Sequence, residues 1–338
     1  MDKKRALVVA TIERAEAIQK ALSISEIESE LFLFRRGLVY SNKLLKFATR
    51  NIPGLRIIKD KTIADINKKL LKRTKEFQPT YLIATVAENI YPETISELRE
   101  MGIITINWFT DLFSRWRIIE KIASSYDYFY SSDSAIIDKL KHEQNLANCF
   151  YLPEAIQHLP DVPVSDDIEK PFNITFIGSY DPKVWQHRED FLSSVQDLGL
   201  NIWGPENWNA TSLKKYYRGT ARGQSMIEKY QKSKISVEIP WNDGISKGIG
   251  TRPFEIMSAG SCLLMYDIRE DMHSAFKPGI DYAPFSSKEE FREKAIQYLK
   301  DGKSRKKISL AGQNAVMANH TMISRIQSII KRAEISLR

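Results

Sequence analysis

The chain has 338 residues, 43% apolar and 27% charged, with a formal net charge of +8. Such a length suggests two domains of roughly 100–200 residues each, and the composition excludes a disordered, collagenous or disulfide-dense chain. No apolar run approaches the ~20 residues of a spanning helix. The Ala6–Ala10 run behind Lys3, Lys4 and Arg5 is too short for a signal peptide.

Arg5–Thr11 reads as a buried strand, Glu13–Leu22 as a helix and Glu30–Phe34 as a strand. Leu38–Arg50 has helical spacing, with Leu44, Leu45 and Phe47 amid Lys43, Lys46 and Arg50, and Ile63–Thr74 reads as a basic helix. Tyr81–Thr85 and Ile103–Asn107 are short strands around a helix at Glu93–Glu100, and Tyr126–Ser131, Ser134–Lys141 and Cys149–Leu152 continue the alternation. Repeated βα units predict a parallel sheet covered on both faces.

His158–Pro171 carries three prolines and four acidic residues without apolar periodicity, and reads as a linker. The βα pattern then restarts, with strands at Asn173–Ile177, Leu200–Trp203, Ile235–Ile239 and Ser261–Tyr266. Helices are expected at Arg188–Leu198, Met226–Ser233, Lys288–Lys300, Ser304–Asn319 and Ser324–Glu334. The expected architecture is α/β, two doubly wound Rossmann-like domains facing a central cleft. Its pieces are residues 1–157, a linker at 158–171, a second domain at 172–320, and a C-terminal helix at 321–338 that packs back on the first domain.

Charge is uneven. Residues 1–169 carry 24 basic and 24 acidic side chains, so residues 170–338, with 26 and 18, hold the whole excess and suit an anionic ligand. Within the first half, residues 35–75 carry 13 Lys or Arg against Asp60 and Asp65. That stretch suits a membrane surface, a nucleic acid or an anionic acceptor, or is simply a solvated helix face. Cys149 and Cys262, far apart in apolar settings, read as reduced core residues, which implies a cytoplasmic location. The five histidines show no zinc-type spacing, and no acidic pair stands in a loop suited to a divalent ion.

Residues 248–260, Gly-Ile-Gly-Thr-Arg-Pro-Phe-Glu-Ile-Met-Ser-Ala-Gly, are the most informative stretch. Gly248 and Gly250 let bare backbone approach a ligand, Thr251 can cap a helix, and Pro253 fits a first helical turn. Free amides with Arg252 favour a phosphate, and the Glu255 carboxylate can accept hydrogen bonds from sugar hydroxyls. Gly178-Ser179, Gly204-Pro205 and the 240–252 loop all fall at the C-terminal ends of predicted strands, where open parallel sheets collect ligands. Plainer roles exist for each: Glu255 as a dipole-compensating acid, Arg252 as a surface ion pair, Gly178-Ser179 as a turn, Trp203 as core, Asp111 as a cap and Lys247 as a surface lysine.

These residues resemble the glycosyltransferases of the CgeB type, a branch near the group-1 glycosyltransferases of the GT-B fold. The matching pieces are Phe176-Ile-Gly-Ser179 with Arg188, Ser233–Val237, Gly250–Gly260, Phe276–Gly279, Ser287–Phe291, Ala311-Gly312 and His320-Thr321, with looser matches at Trp108–Asp111, Tyr126-Asp127 and Tyr151–Glu154. The resemblance implies a nucleotide-sugar donor, UDP-type favoured, on the C-terminal domain, and an acceptor reached from the N-terminal domain. It implies Glu255 on the donor ribose, Lys247, Gly250, Thr251 and Arg252 at the diphosphate, and Trp203 with Gly204 near the base. Gly178, Ser179 and Arg188 complete the donor set. Many retaining relatives carry a glutamate where this chain has Lys247, which fits a phosphate but not an oriented sugar hydroxyl. An inverting reaction needs a base, for which Asp111 is the first candidate and His142 a weaker one. Arg252 and a helix N-terminus would stand in for a metal ion, and no cofactor is implied. The competing readings are a nucleotide-sugar binding subunit without catalysis, and a nucleic-acid-directed protein using residues 35–75. Leu38–Arg50 also suits weak binding to an anionic membrane.

Overall fold

A computed structural model of the chain describes residues 3–33, 53–85, 89–111, 113–156 and 169–335. Two compact units emerge, Met1–Pro153 with Met322–Arg338, and Glu154–Thr321. The first unit alternates β1 (Arg5–Ala10), α1 (Ile12–Ile24), β2 (Glu28–Leu33), α2 (Pro53–Phe77), β3 (Tyr81–Ala84) and α3 (Pro92–Glu100). It continues with β4 (Ile104–Phe109), α4 (Trp116–Ile122), β5 (Tyr128–Ser131), α5 (Ser134–Gln144) and β6 (Cys149–Tyr151). Its six strands run parallel in the order β2-β1-β3-β4-β5-β6. Val8 of the inner strand β1 lies opposite both Leu31 and Ile83. Ala6–Ala10 and Tyr81–Ala84 are buried throughout, as strands covered on both faces must be.

The basic helix expected at Ile63–Thr74 is part of the 25-residue α2. Pro53 stands at the first helical position of α2, where its missing N–H is no loss. Several cations of this helix pair on the surface: Lys69 with Asp65 at 2.6 Å, Arg73 with Glu30 and Glu76, and Lys75 with Glu97 at 3.4 Å. Exposed pairs of this kind contribute about 0–1 kcal/mol each. The expected helix at Leu38–Arg50 and most of the expected linker lie outside the described residues. Among the described residues no helix is long and apolar enough to cross a membrane.

The second unit runs β7 (Phe172–Ile177), α6 (Gln186–Ser193), β8 (Leu200–Trp203), α7 (Gln224–Gln231), β9 (Ser233–Glu238) and α8 (Thr251–Ser258). Then come β10 (Cys262–Tyr266), α9 (Glu270–Ala275), β11 (Ala283–Phe285), α10 (Lys288–Lys300) and α11 (Gly302–Asn319). The five strands are parallel in the order β11-β10-β9-β7-β8. One core, including Phe176, Ile235, Val237 and Leu264, covers one face, and another, including Tyr230, Phe254 and Met257, covers the other. β7 is followed by β8 on one side while β9 joins on the other, so the order reverses between β7 and β9. Such a switch point opens a crevice at the C-terminal strand ends. α6 stops at Ser193 rather than continuing to Leu198, and a 3-10 turn leads to Gly199, whose φ of 81° suits glycine.

The last helix, α12 (Met322–Ile335), belongs to the first unit. It packs on α1, buries Ile326, Ile329, Ile330 and Ala333, and places Arg332 4.1 Å from the Phe150 ring centre. Cys149 and Cys262 are free and buried, one in each unit.

Candidate functional site

Arg188 on α6 bridges the switch point. Its Nε donates to the Ile239 carbonyl at the end of β9 (2.9 Å), and its Nη1 donates to the Ser179 carbonyl just beyond β7 (2.7 Å). The guanidinium also lies 3.5 Å from the Trp185 ring centre. Only 2% of Arg188 is exposed, so it ties two strand ends from beneath. Burial pushes its pKa down to about 9, with the Glu238 charge resisting and that of Arg252 assisting. It remains a cation at neutral pH.

Gly178 and Gly204 are structural close approaches. A Cβ on Gly204 would meet the Gly178 carbonyl oxygen at 2.2 Å, and one on Gly178 would meet the Phe176 ring at 2.6 Å. Trp208 Nε1 donates to that same Gly178 carbonyl at 2.9 Å. Trp203, expected near a base, is 4% exposed, with Phe172 edge-on at 5.1 Å. Its ring is therefore core. Ser179 is exposed beside it.

The 240–250 loop is stapled rather than loose. Asp243 accepts from the Ser246 amide (2.8 Å) and hydroxyl (2.6 Å) and from the Ile245 amide (3.1 Å). Burial pushes the Asp243 carboxyl up, but those hydrogen bonds and Arg269 together bring it below its ordinary value. Arg269, 4% exposed, donates to the carbonyls of Ser246 and Trp241. Lys247 pairs with Glu270 at 2.9 Å, and its carbonyl accepts from the Asp271 amide.

α8 begins one residue earlier than its sequence suggests. Gly250, extended at φ −72° and ψ 177°, is the cap, and no side chain caps the helix; Thr251 is already helical. A Cβ on Gly250 would face open space. The uncapped amides of Thr251 and Arg252 are thus available, Pro253 having none. Glu255, 4% exposed, follows one turn on. Burial works against the Arg252 charge, but Glu238, Tyr230 and Glu255 outweigh it and raise its pKa.

Sequence reasoning missed Glu238, Tyr230, Asp243 and Arg269. Glu238, 6% exposed, carries one carboxylate oxygen without a hydrogen-bond partner, and the buried Tyr230 hydroxyl has none either. An acidic residue closing the apolar run Ile-Ser-Val-Glu-Ile was the available signal for Glu238. Asp111, the candidate base, lies just beyond β4 in the first unit, with Arg115 Nε donating to it at 3.2 Å. His142 lies in the last turn of α5. No cluster able to hold a metal ion occurs among the described residues.

Two parallel Rossmann-like sheets in one chain define the GT-B class. Residues 187–331, most of the second unit with the first part of α12, match the family model described as glycosyl transferase-like. In overall fold the chain is similar to a glycosyltransferase from Rickettsia africae ESF-5, at 12% identity and a TM-score of 0.66, covering 100% of both chains. It is similar to a sucrose-phosphate synthase from Thermosynechococcus elongatus, at 10% identity and 0.67, covering 99% and 100%. It is also similar to Anabaena HepE solved with UDP and glucose, at 10% identity and 0.64, covering 98% and 99%. No curated protein matches the chain.

Proposed function

We propose that this protein moves a sugar from a nucleoside-diphosphate sugar to an acceptor hydroxyl without a metal ion, as a CgeB-type glycosyltransferase. One observation carries the reading: the uncapped start of α8, reached from the end of the switch-point strand β9 through the 239–250 loop, carries Arg252 and Glu255 in its first turns. In this reading the diphosphate lies on the Thr251 and Arg252 amides and the Arg252 guanidinium. Glu255 accepts from the ribose hydroxyls. As the bond from the sugar to the leaving diphosphate breaks, negative charge builds on the departing oxygen, and Arg252 with the helix N-terminus stabilises it. Asp111, steered by Arg115, takes the acceptor proton. The bare backbone at Gly250 admits the phosphates closely, and the paired Lys247 adds positive charge behind them. Anabaena HepE, solved with UDP and glucose, supports a UDP-type donor.

Release of UDP from UDP-sugars by purified protein tests the reading. Arg252→Ala and Glu255→Ala should each lower the rate by about 10²–10³-fold, the usual effect of removing one charge-stabilising contact. Undiminished release in both variants would remove the site from the reaction. The Lys247–Glu270 pair, standing where many relatives orient a sugar hydroxyl, favours one alternative: a nucleotide-sugar binding subunit. That alternative predicts UDP-induced stabilisation with no UDP release from any donor. Residues 35–75 are proposed to meet an anionic surface, with the enzyme cytoplasmic, and sedimentation with anionic vesicles checks that.

A further inference from the structure

We infer that Glu238 is a positioning residue for Arg252, a buried counter-charge at the end of β9 that holds the guanidinium at the start of α8 where a diphosphate meets it. The inference rests on the donor reading above and adds to it a residue that the sequence did not single out.

Glu238 is the last residue of β9 and lies opposite Met265 of β10. Its neighbours Val237 and Ile239 belong to one core. Strand alternation sends Glu238 to the other face, where Tyr230 and α8 pack. There it is 6% exposed, with one carboxylate oxygen lacking any hydrogen-bond partner. A carboxylate so placed is unfavourable unless cations stand close by. Two cations feel it: the Glu238 charge favours the charged form of Arg188 and of Arg252.

The two arginines differ in freedom. Arg188 is pinned by the Ile239 and Ser179 carbonyls. Arg252 is only partly buried and forms no direct salt bridge among the described residues. Its position is therefore set by the field around it. Arg188 repels it, while Glu238, on the strand face against which α8 packs, and Glu255, one turn along its own helix, attract it. Low-dielectric surroundings make each of these terms larger than it would be in water. Without the Glu238 charge, repulsion from Arg188 drives Arg252 outward and Glu255 draws it along α8, away from the helix amides. With that charge, the guanidinium stays beside the amides with its donors uncommitted. The Glu238 carboxylate, an acceptor only, cannot itself bind phosphate. It acts through Arg252.

The test is a double-mutant cycle read by binding. UDP, ADP, GDP and CDP are titrated into the wild type, and the diphosphate that binds, with its parent nucleoside, becomes the probe. If none binds, the donor reading itself fails. Glu238→Gln keeps the shape and removes the charge. It should lower diphosphate affinity by about tenfold, the effect of 1.4 kcal/mol, and leave nucleoside affinity unchanged. In an Arg252→Ala background the same change should have no effect. Glu238→Asp, which keeps the charge, should stay within threefold of the wild type, and this variant decides if the glutamine variant does not fold. The inference is overturned if Glu238→Gln leaves diphosphate affinity unchanged or raises it. It is equally overturned if it weakens nucleoside and diphosphate alike, if its effect persists without Arg252, or if Glu238→Asp loses more than threefold.

Discussion

A Cβ on Gly204 would sit 2.2 Å from a backbone oxygen and 2.9 Å from Nε1 of Trp208. Neither neighbour is the tip of a flexible side chain, so Gly204→Ala must move the β8 end or the Gly178 turn. Overpacking of this kind costs about 1–3 kcal/mol, and the urea midpoint should fall accordingly. Gly250→Ala makes the contrast. Its φ is negative and its Cβ points into open space, so stability should stay within about 0.5 kcal/mol of the wild type. If the donor diphosphate lies against that backbone, its affinity should fall while the melting temperature holds. An equal loss of stability at both glycines would contradict the geometry. Arg188 is the third residue at this scale. Arg188→Met leaves the Ile239 and Ser179 carbonyls without their donor and the buried Glu238 with one cation fewer. Breaking a buried, hydrogen-bonded charge costs about 3–5 kcal/mol, so chemical denaturation should show a loss in that range.

Among the elements, α10 shows how a helix start ties stability to pH. Ser287 caps it by accepting from the Glu290 amide at 3.1 Å, and Glu290 accepts from the Ser286 amide and hydroxyl, both at 2.7 Å. Lys294 is the larger influence on Glu290, followed by Ser286, and together they hold its carboxyl down at about 2. A native carboxyl below its ordinary value of 4.5 contributes stability that is present above about pH 4.5 and lost as pH falls toward 2. Glu290→Gln should therefore be less stable than the wild type at pH 7, by under about 1 kcal/mol given its partial exposure, and should match it near pH 2. A gap that persisted at pH 2 would assign the effect to packing. Elements such as β1, β3 and β10 were legible in the sequence because a strand buried on both faces is a plain apolar run. β11, three residues with Pro284 at its centre, and the six-residue α9 were not legible, because neither is long enough for its period to repeat twice. The site divides the same way. The loop, helix and strand of 248–266 are local and readable. The Arg269 staple on the 240–250 loop and the contact of Gly178 with Gly204 join residues more than twenty apart and exist only once the sheet has formed.

At the scale of the whole molecule, the chain's path makes the first unit depend on its far end. That unit consists of Met1–Pro153 and Met322–Arg338, so the entire second unit is threaded between two parts of the first. α12 lays Ile326, Ile329, Ile330 and Ala333 into this unit beside α1, where Ala15, Ile18, Ala21 and Leu22 are fully buried. Arg325 Nε donates to the Pro153 carbonyl at 2.8 Å, and Lys4 pairs with Glu334 on the helix surface. Burial of an isoleucine side chain is worth about 1.5–3 kcal/mol, so the three isoleucines alone contribute about 5–9 kcal/mol. A single domain has about 5–15 kcal/mol in total. Deleting residues 322–338 should therefore unfold the first unit and leave the second, whose core contains none of these residues. Limited proteolysis of the truncated chain should yield a resistant fragment starting near residue 154 and no protected fragment from residues 1–153. Calorimetry should show one surviving transition. Point changes grade the same effect. Ile329→Ala should lower the melting temperature of the first unit through a loss of about 2–5 kcal/mol, and leave that of the second where it was. Protection of residues 1–153 in the truncated chain would mean that the first unit is complete without α12.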